Sequence, residues 1–182
     1  MAKLVADVYG EALFDLAAQS NSIDSLAEQI KTAEAVLAEN PEFLGLLTHP
    51  KISMEEKKSV VETVFGGRFD DAVTGLLIVI VEKGRCAEIP AVFANFLDKV
   101  REYRRIGVAR VTSATELSDV QKKRIEEKLL SQTAYESFEM QYTVDASLIG
   151  GMIIRIGDRV VDASIQSKLR KMAVSLSNLQ LS

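Results

Sequence analysis

Apolar residues recur every three or four positions through the first hundred residues of the chain. Val5, Tyr9, Leu13 and Leu16 are spaced by four, four and three, and Ile23, Leu26, Ile30 and Leu37 repeat the theme after Ser22. This spacing lines one face of an α-helix. Asn40-Pro41 ends the second helix, because proline disfavours helical geometry in the residue before it, and a short helix near residues 42–47 follows. Ser53 and Glu56 form an S-x-x-E capping box, opening a helix that buries Val60, Val61, Val64 and Phe65 and stops at Gly66-Gly67. An apolar helix runs from Asp71 to Gly84. A sixth carries Ile89, Val92, Phe93, Phe96, Leu97 and Val100, with Pro90 in its first turn. Six helices with short connections predict a helical bundle.

After Gly107 the period changes. "VARVTSA" is rich in β-branched residues and predicts a strand; Ser118 with Gln121 predicts the start of a helix, "SDVQKKRIEEKLL". Phe138, Met140, Tyr142 and Val144 then alternate with polar residues, which predicts a strand with one buried face. A final helix is expected from Ile165, Leu169, Met172, Leu176 and Leu179. The fold class is therefore α+β: a six-helix bundle over residues 1–105, then a smaller α+β module over residues 106–182 with a short sheet and two helices. Charge divides at the same place. The first part has 12 Lys and Arg against 17 Asp and Glu, the second 10 against 9.

The first helix carries more apolar surface than one core requires. At 100° per residue, Leu4, Val8, Ala12, Val5, Leu16, Tyr9, Ala2, Leu13, Ala6 and Ala17 fill an arc of roughly 220°. A helix packing on one core needs a stripe of little more than about 100°. Either this helix is deeply buried in its own bundle, or it offers a second apolar face to a partner helix. The apolar run "AVTGLLIVIV" has 10 residues. A membrane span needs about 20, so it is expected to lie buried in the middle of the bundle.

Composition narrows the chemistry. The formal net charge is −4 with no basic stripe, which argues against a nucleic-acid partner. Asp7 stands where a secretory signal would be apolar, so no targeting segment is expected. The single cysteine, Cys86, excludes an intramolecular disulfide, and with the single histidine, His49, leaves too few ligands for a zinc site. Neither a serine–histidine–acid arrangement nor a cofactor site is expected. The carboxylate pairs Glu55-Glu56, Asp70-Asp71 and Glu126-Glu127 fall on helix starts or polar faces.

One stretch, "GGMIIRIGDRVVD", sets glycines beside arginines. A phosphate-binding loop needs a helix after its glycines, and Gly150-Gly151 precede a strand. The bland reading is a hairpin. Met152, Ile154 and Ile156 point one way and Ile153 and Arg155 the other, Gly157-Asp158 form a two-residue turn, and Asp162 or Ser164 caps the last helix. Gly150, Gly151, Gly157 and Asp158 are thus expected to be structural.

The combination of "VYGEALFDLA", "HPKISMEEKKSVVETVF", "EKGR", "ARVTSATELSDVQKKRIEEKL" and above all "GGMIIRIGDRVVDASIQSKLRKM", in this order through nearly the whole chain, resembles the delta subunit of bacterial and chloroplast ATP synthases. The oligomycin-sensitivity-conferring protein is its mitochondrial relative. Gly10 stands where that family often has alanine. The resemblance implies a non-catalytic stator subunit without cofactors that resists rotor torque, at the cytoplasmic face of a bacterial plasma membrane and touching the membrane only through the complex. It implies that the helical bundle grips the N-terminal helix of an alpha subunit, for which Val5, Tyr9, Leu13, Leu76 and Val79 are the candidate residues. It implies that the second module holds the peripheral-stalk b subunits, for which Ile165, Leu169, Met172 and Leu176 are the candidates. A helical adaptor or a nucleotide-binding protein outside ATP synthases stays open as the alternative.

Overall fold

The computed structural model describes residues 2–169, with side chains from Leu4 onward. The chain divides into two compact units, Met1–Tyr103 and Arg104–Ser182, and the division falls inside "REYRRIGV".

The first unit contains six α-helices: α1 (Ala2–Gln19), α2 (Ile23–Glu39), α3 (Pro41–Thr48), α4 (Met54–Phe65), α5 (Asp71–Glu82) and α6 (Ile89–Tyr103). Local chemistry sets their ends. Pro41 is the first residue of α3, where its missing N–H costs nothing. Ser53 Oγ accepts from the Glu56 N–H while the Glu56 carboxylate accepts from the Ser53 N–H, a complete capping box. Asp70 caps α5 through the Ala72 N–H, and its own N–H donates to Gln29 Oε1 at 2.6 Å, tying α5 to α2. Gly84, at φ +65, lets the chain leave α5 in the left-handed region.

The core of this unit is built around α6, which buries Ile89, Val92, Phe93, Phe96, Leu97 and Val100. Leu13 and Ala17 of α1, Leu26 and Ile30 of α2, and Val73, Leu77 and Ile80 of α5 pack into it. Helix α5 is not central, as its continuous apolar run led us to expect. Val73, Leu77, Ile80 and Val81 are buried, but Leu76 and Ile78 are half-buried and Val79 is exposed. A helix that is apolar all round is normally buried all round, so its exposed side is a finding in its own right.

Gly10, which lowers helix propensity in α1, has a packing reason. It is buried, and a Cβ there would collide with the side chain of Asn95 on α6. Asn95 in turn donates to Asp7 Oδ1 at 2.8 Å. The missing methyl lets α1 and α6 approach closely, with a polar link holding their register.

Among the described residues the second unit is a four-stranded mixed sheet with one long helix. Strands β1 (Ile106–Ser113), β2 (Ser137–Val144), β3 (Met152–Ile156) and β4 (Arg159–Asp162) lie in the order β2-β1-β3-β4. β1 pairs parallel with β2 and antiparallel with β3, and β3 with β4 antiparallel. The parallel pair requires a crossover, supplied by α7 (Asp119–Gln132), whose start is the Ser118/Gln121 capping box. Ile125, Leu129 and Leu130 of α7 pack on Ala109, Phe138, Met140, Ile154 and Ile156. The expected buried face of β2 is only partly realised. Phe138 is buried and Met140 half-buried, but Tyr142 and Val144 are exposed, because β2 is an edge strand and its far end lies outside the small core.

Two tests follow from these contacts. Gly10→Ala should destabilise the chain by about 1–3 kcal/mol, the range for overpacking, and Asn95→Ala in the same chain should recover most of that loss; denaturant melts of the single and double variants check it. The Glu56 carboxyl is held below the usual carboxylate range by the hydrogen bond from the Ser53 N–H and, secondarily, from the Ser53 hydroxyl. Its stabilising contribution is therefore full above the unfolded value of about 4.3 and is lost as the pH falls through the lowered folded value. Glu56→Gln should melt below the parent chain at neutral pH, and the gap should close in acid.

Candidate functional site

The apolar arc of α1 divides into two sides. Val5, Ala6, Leu13 and Ala17 are buried and Tyr9 is half-buried against the core. Leu4, Val8 and Leu16 are 68, 56 and 49% exposed, and Ala12 between them is exposed as well. These four lie four residues apart, one above the next along the helix. Helix α1 contacts α2, α5 and α6. On the neighbouring α5, Leu76 is half-buried and Val79 is exposed. Two adjacent helices thus each bring uncovered apolar side chains to the surface of one unit.

Of the candidate residues on α1, Val5 and Leu13 are buried among the bundle's own apolar residues and Tyr9 is half-buried. Leu4, Val8 and Leu16 belong to the same apolar arc and are the large residues of it that the bundle leaves exposed. Periodicity shows that an arc is too wide; it does not show which edge of it faces inward. Their strict four-residue spacing beside the buried row was the available signal.

In the second unit the glycine stretch forms the seat of the chain's last segment. Gly157 takes φ +54 and Ile156 pairs with Arg159 across the two-residue Gly157-Asp158 turn. Only the first central residue has positive φ, which is the pattern of a type II′ hairpin turn. Gly150 and Gly151 do something different. The Ile165 N–H donates to the Gly150 carbonyl at 2.8 Å, and the Ala163 N–H to the Met152 carbonyl at 3.0 Å. A Cβ on Gly150 would stand 2.6 Å from Ile165 Cδ1, and one on Gly151, at φ +82, would collide with the Ala163 carbonyl. The pair is bare so that residues 163–165 can lie on it.

Ser164 is buried, and its Oγ accepts from the Ser167 N–H at 3.2 Å as the cap of the helical segment at residues 165–169. Asp162 supports the same turn by accepting from the Ser164 N–H at 2.9 Å and from the Ser167 hydroxyl. Ile165 and Leu169 are 43 and 51% exposed. Met172 and Leu176 lie outside the described residues.

The remaining reactive groups have structural surroundings. The Cys86 thiol is buried, and burial pushes its pKa up, which makes it a poorer nucleophile. His49 Nδ1 accepts from the Lys51 N–H at 3.2 Å in the turn after α3. Among the described residues no helix is long and apolar enough to cross a membrane.

The described residues thus define a class of two-unit protein: a helical bundle with an uncovered apolar row, joined to a small unit of sheet and helix whose glycines shape its chain path. Comparison with known proteins makes the class specific. The family model for the ATP synthase delta (OSCP) subunit matches residues 5–176. The ATP synthase subunit delta of Lachnoclostridium phytofermentans is 54% identical over 181 residues, covering 100% of both chains. That of Trichodesmium erythraeum is 34% identical over 175 residues, covering 96% of each. A chain in the cryo-EM structure of the Toxoplasma gondii mitochondrial ATP synthase hexamer shares the fold, with a TM-score of 0.74 at 20% identity over 94% of this chain and 96% of that one. The chain belongs to the ATP synthase delta (OSCP) subunit family. It is a non-catalytic subunit of the stator of a membrane-associated ATP synthase.

The two kinds of glycine can be told apart by substitution. Gly151→Ala adds a methyl against backbone at a positive φ and should cost about 2 kcal/mol or more. Gly157 has nothing within 4 Å of where a Cβ would stand, so only its positive φ resists substitution: Gly157→Asn should cost less than Gly157→Val, which should cost on the order of 1–2 kcal/mol. Thermal melts of the three variants give the ranking.

Proposed function

We propose that the two units hold two different parts of the ATP synthase stator. The helical unit docks the N-terminal amphipathic helix of an alpha subunit on the uncovered faces of α1 and α5. The second unit holds the ends of the peripheral-stalk b subunits, with Ile165 and Leu169 on the docking side. Linked through one chain, the two attachments keep the catalytic head from turning with the rotor, so that proton flow is coupled to ATP synthesis. The subunit then sits at the cytoplasmic face of the membrane and reaches the membrane only through the complex.

The observation that carries this reading is the exposed row Leu4, Val8 and Leu16 on α1, a helix that contacts α5, on which Val79 is exposed as well. A row of large apolar side chains on a soluble surface is a docking signal, and a second helix laid along it matches the helix-in-groove mode. Each buried leucine or valine contributes about 1.5–3 kcal/mol against the cost of association, so the row supplies the apolar anchors of a docking site and the partner helix must add further contacts.

Paired substitutions on one helix separate docking from folding. Val8→Asp should leave the folding stability within about 0.5 kcal/mol of the parent and weaken binding of an alpha-subunit N-terminal peptide at least ~10-fold, as expected for a carboxylate buried without a partner. Leu13→Asp buries the same charge in the bundle core and should unfold the unit. Calorimetric titration beside thermal melts reads both. Full peptide affinity in a folded Val8→Asp chain contradicts the proposed surface.

A further inference from the structure

Helix α5 carries an interior glycine that the packing of the bundle does not require. Glycine is among the least favourable residues inside a helix, because it loses the most conformational freedom on folding. In α1 the cost of Gly10 has a reason: Asn95 occupies the space where its Cβ would stand. Gly75 of α5 has no such neighbour. Among the described residues nothing lies within 4 Å of where its Cβ would stand. At about 100° per residue, Gly75 lies roughly opposite the middle of the buried row Val73, Leu77, Ile80 and Val81. It therefore sits at the centre of the outward face of α5. About one turn to either side stand Ala72, half-buried, and Val79, exposed. Gly45 of α3 also meets open space, but that helix exposes no large apolar side chain.

We propose that Gly75 is the notch over which the docked alpha-subunit helix crosses α5, an inference that rests on the helical unit being the unit that docks that helix. Packed helices lie about 8–10 Å apart, and the side chains at the crossing point set the distance. A bare position at the centre of an apolar face brings the two backbones closest there. Gly10 shows the same device inside the bundle, where it admits α6. At Gly75 the space is open, and the large apolar residues stand beside it: Val79 on α5, and the exposed row on α1, which contacts α5. The notch thus fixes where along α5 the partner helix crosses, while its neighbours supply the apolar contacts. The free subunit gives up helix stability at this position, and the partner fills the space on assembly.

The test uses the full chain, with an alpha-subunit N-terminal peptide as probe. Gly75→Ala should raise the melting midpoint by about 2–8 °C, because alanine favours the helix. The same variant should bind the peptide about 5-fold more weakly, and Gly75→Leu at least ~50-fold more weakly while melting at or above the parent, as expected when added methylenes meet a close contact. Gly45→Ala is the control: its midpoint should rise in the same way with peptide affinity at the parental value. A midpoint that falls in Gly75→Ala assigns the glycine to internal structure and overturns the notch. Raised midpoints with parental or tighter peptide binding overturn it as well, and so does an equal loss of affinity in Gly45→Ala. If the parent chain itself fails to bind the peptide, the docking reading falls and the notch with it. If the parent binds, Val8→Asp does not, and the Gly75 variants bind like the parent, the notch alone falls.

Discussion

Helix α1 holds more apolar side chain than its own bundle can cover. Its inner row, Val5, Leu13 and Ala17, is buried in the bundle core. Its outer row, Leu4, Val8 and Leu16, stands in solvent. Both rows cannot be satisfied by one bundle, because the arc they span is wider than a helix buries against a single layer. The bundle is built to accept this. Gly10 removes a Cβ so that α6 can come close behind α1, and Asn95 bonded to Asp7 fixes the register of the two helices. The inner row is thereby locked in place, and the outer row is held on a rigid helix rather than on a loop. Rigid presentation of anchors lowers the entropy lost on binding.

The second unit solves a different problem with the same economy. Among the described residues the small sheet packs against α7 with a small apolar core, and close backbone approach adds to it. The bare glycines at 150 and 151 let the strand-to-helix turn at 163–165 lie directly on the start of β3, joined by two backbone hydrogen bonds. The buried Ser164 then starts the final segment at a defined point. What resembles a phosphate loop in composition is thus a joint, and its position fixes where the helical segment at residues 165–169 begins. In both units glycines that look unfavourable in isolation, Gly10 within a helix and Gly151 at a positive φ, are tied to a close contact with a distant part of the chain.

Much of this was legible in the sequence, and the limits are physical. Helix ends were legible because capping is local: Ser53 with Glu56 and Ser118 with Gln121 are three residues apart and need no tertiary information. The Gly157-Asp158 turn is local in the same sense. The direction of α1 was not, since the spacing that reveals an apolar arc is the same whichever edge points inward. For α5 the uniform apolar run hid an exposed side, because burial depends on which helices happen to be neighbours. The role of Gly150 and Gly151 depends on residues 163–165 returning to them, and that of Gly10 on Asn95, far away in sequence on α6. Strand β2 was read correctly as a strand, yet its expected buried face ends after Met140, since an edge position cannot be inferred from alternation.

The central claim is that α1 divides its apolar surface between its own core and an alpha-subunit helix. Side-chain methyl NMR of the full chain, titrated with the N-terminal peptide of the alpha subunit, tests it most directly. The account predicts large shifts for the methyls of Leu4, Val8, Leu16, Leu76 and Val79, small ones for Leu13, Val73 and Ile30, and none in the sheet of the second unit. Shifts centred on the sheet, or a titration that leaves Leu4, Val8 and Leu16 unmoved while the peptide binds, would contradict it.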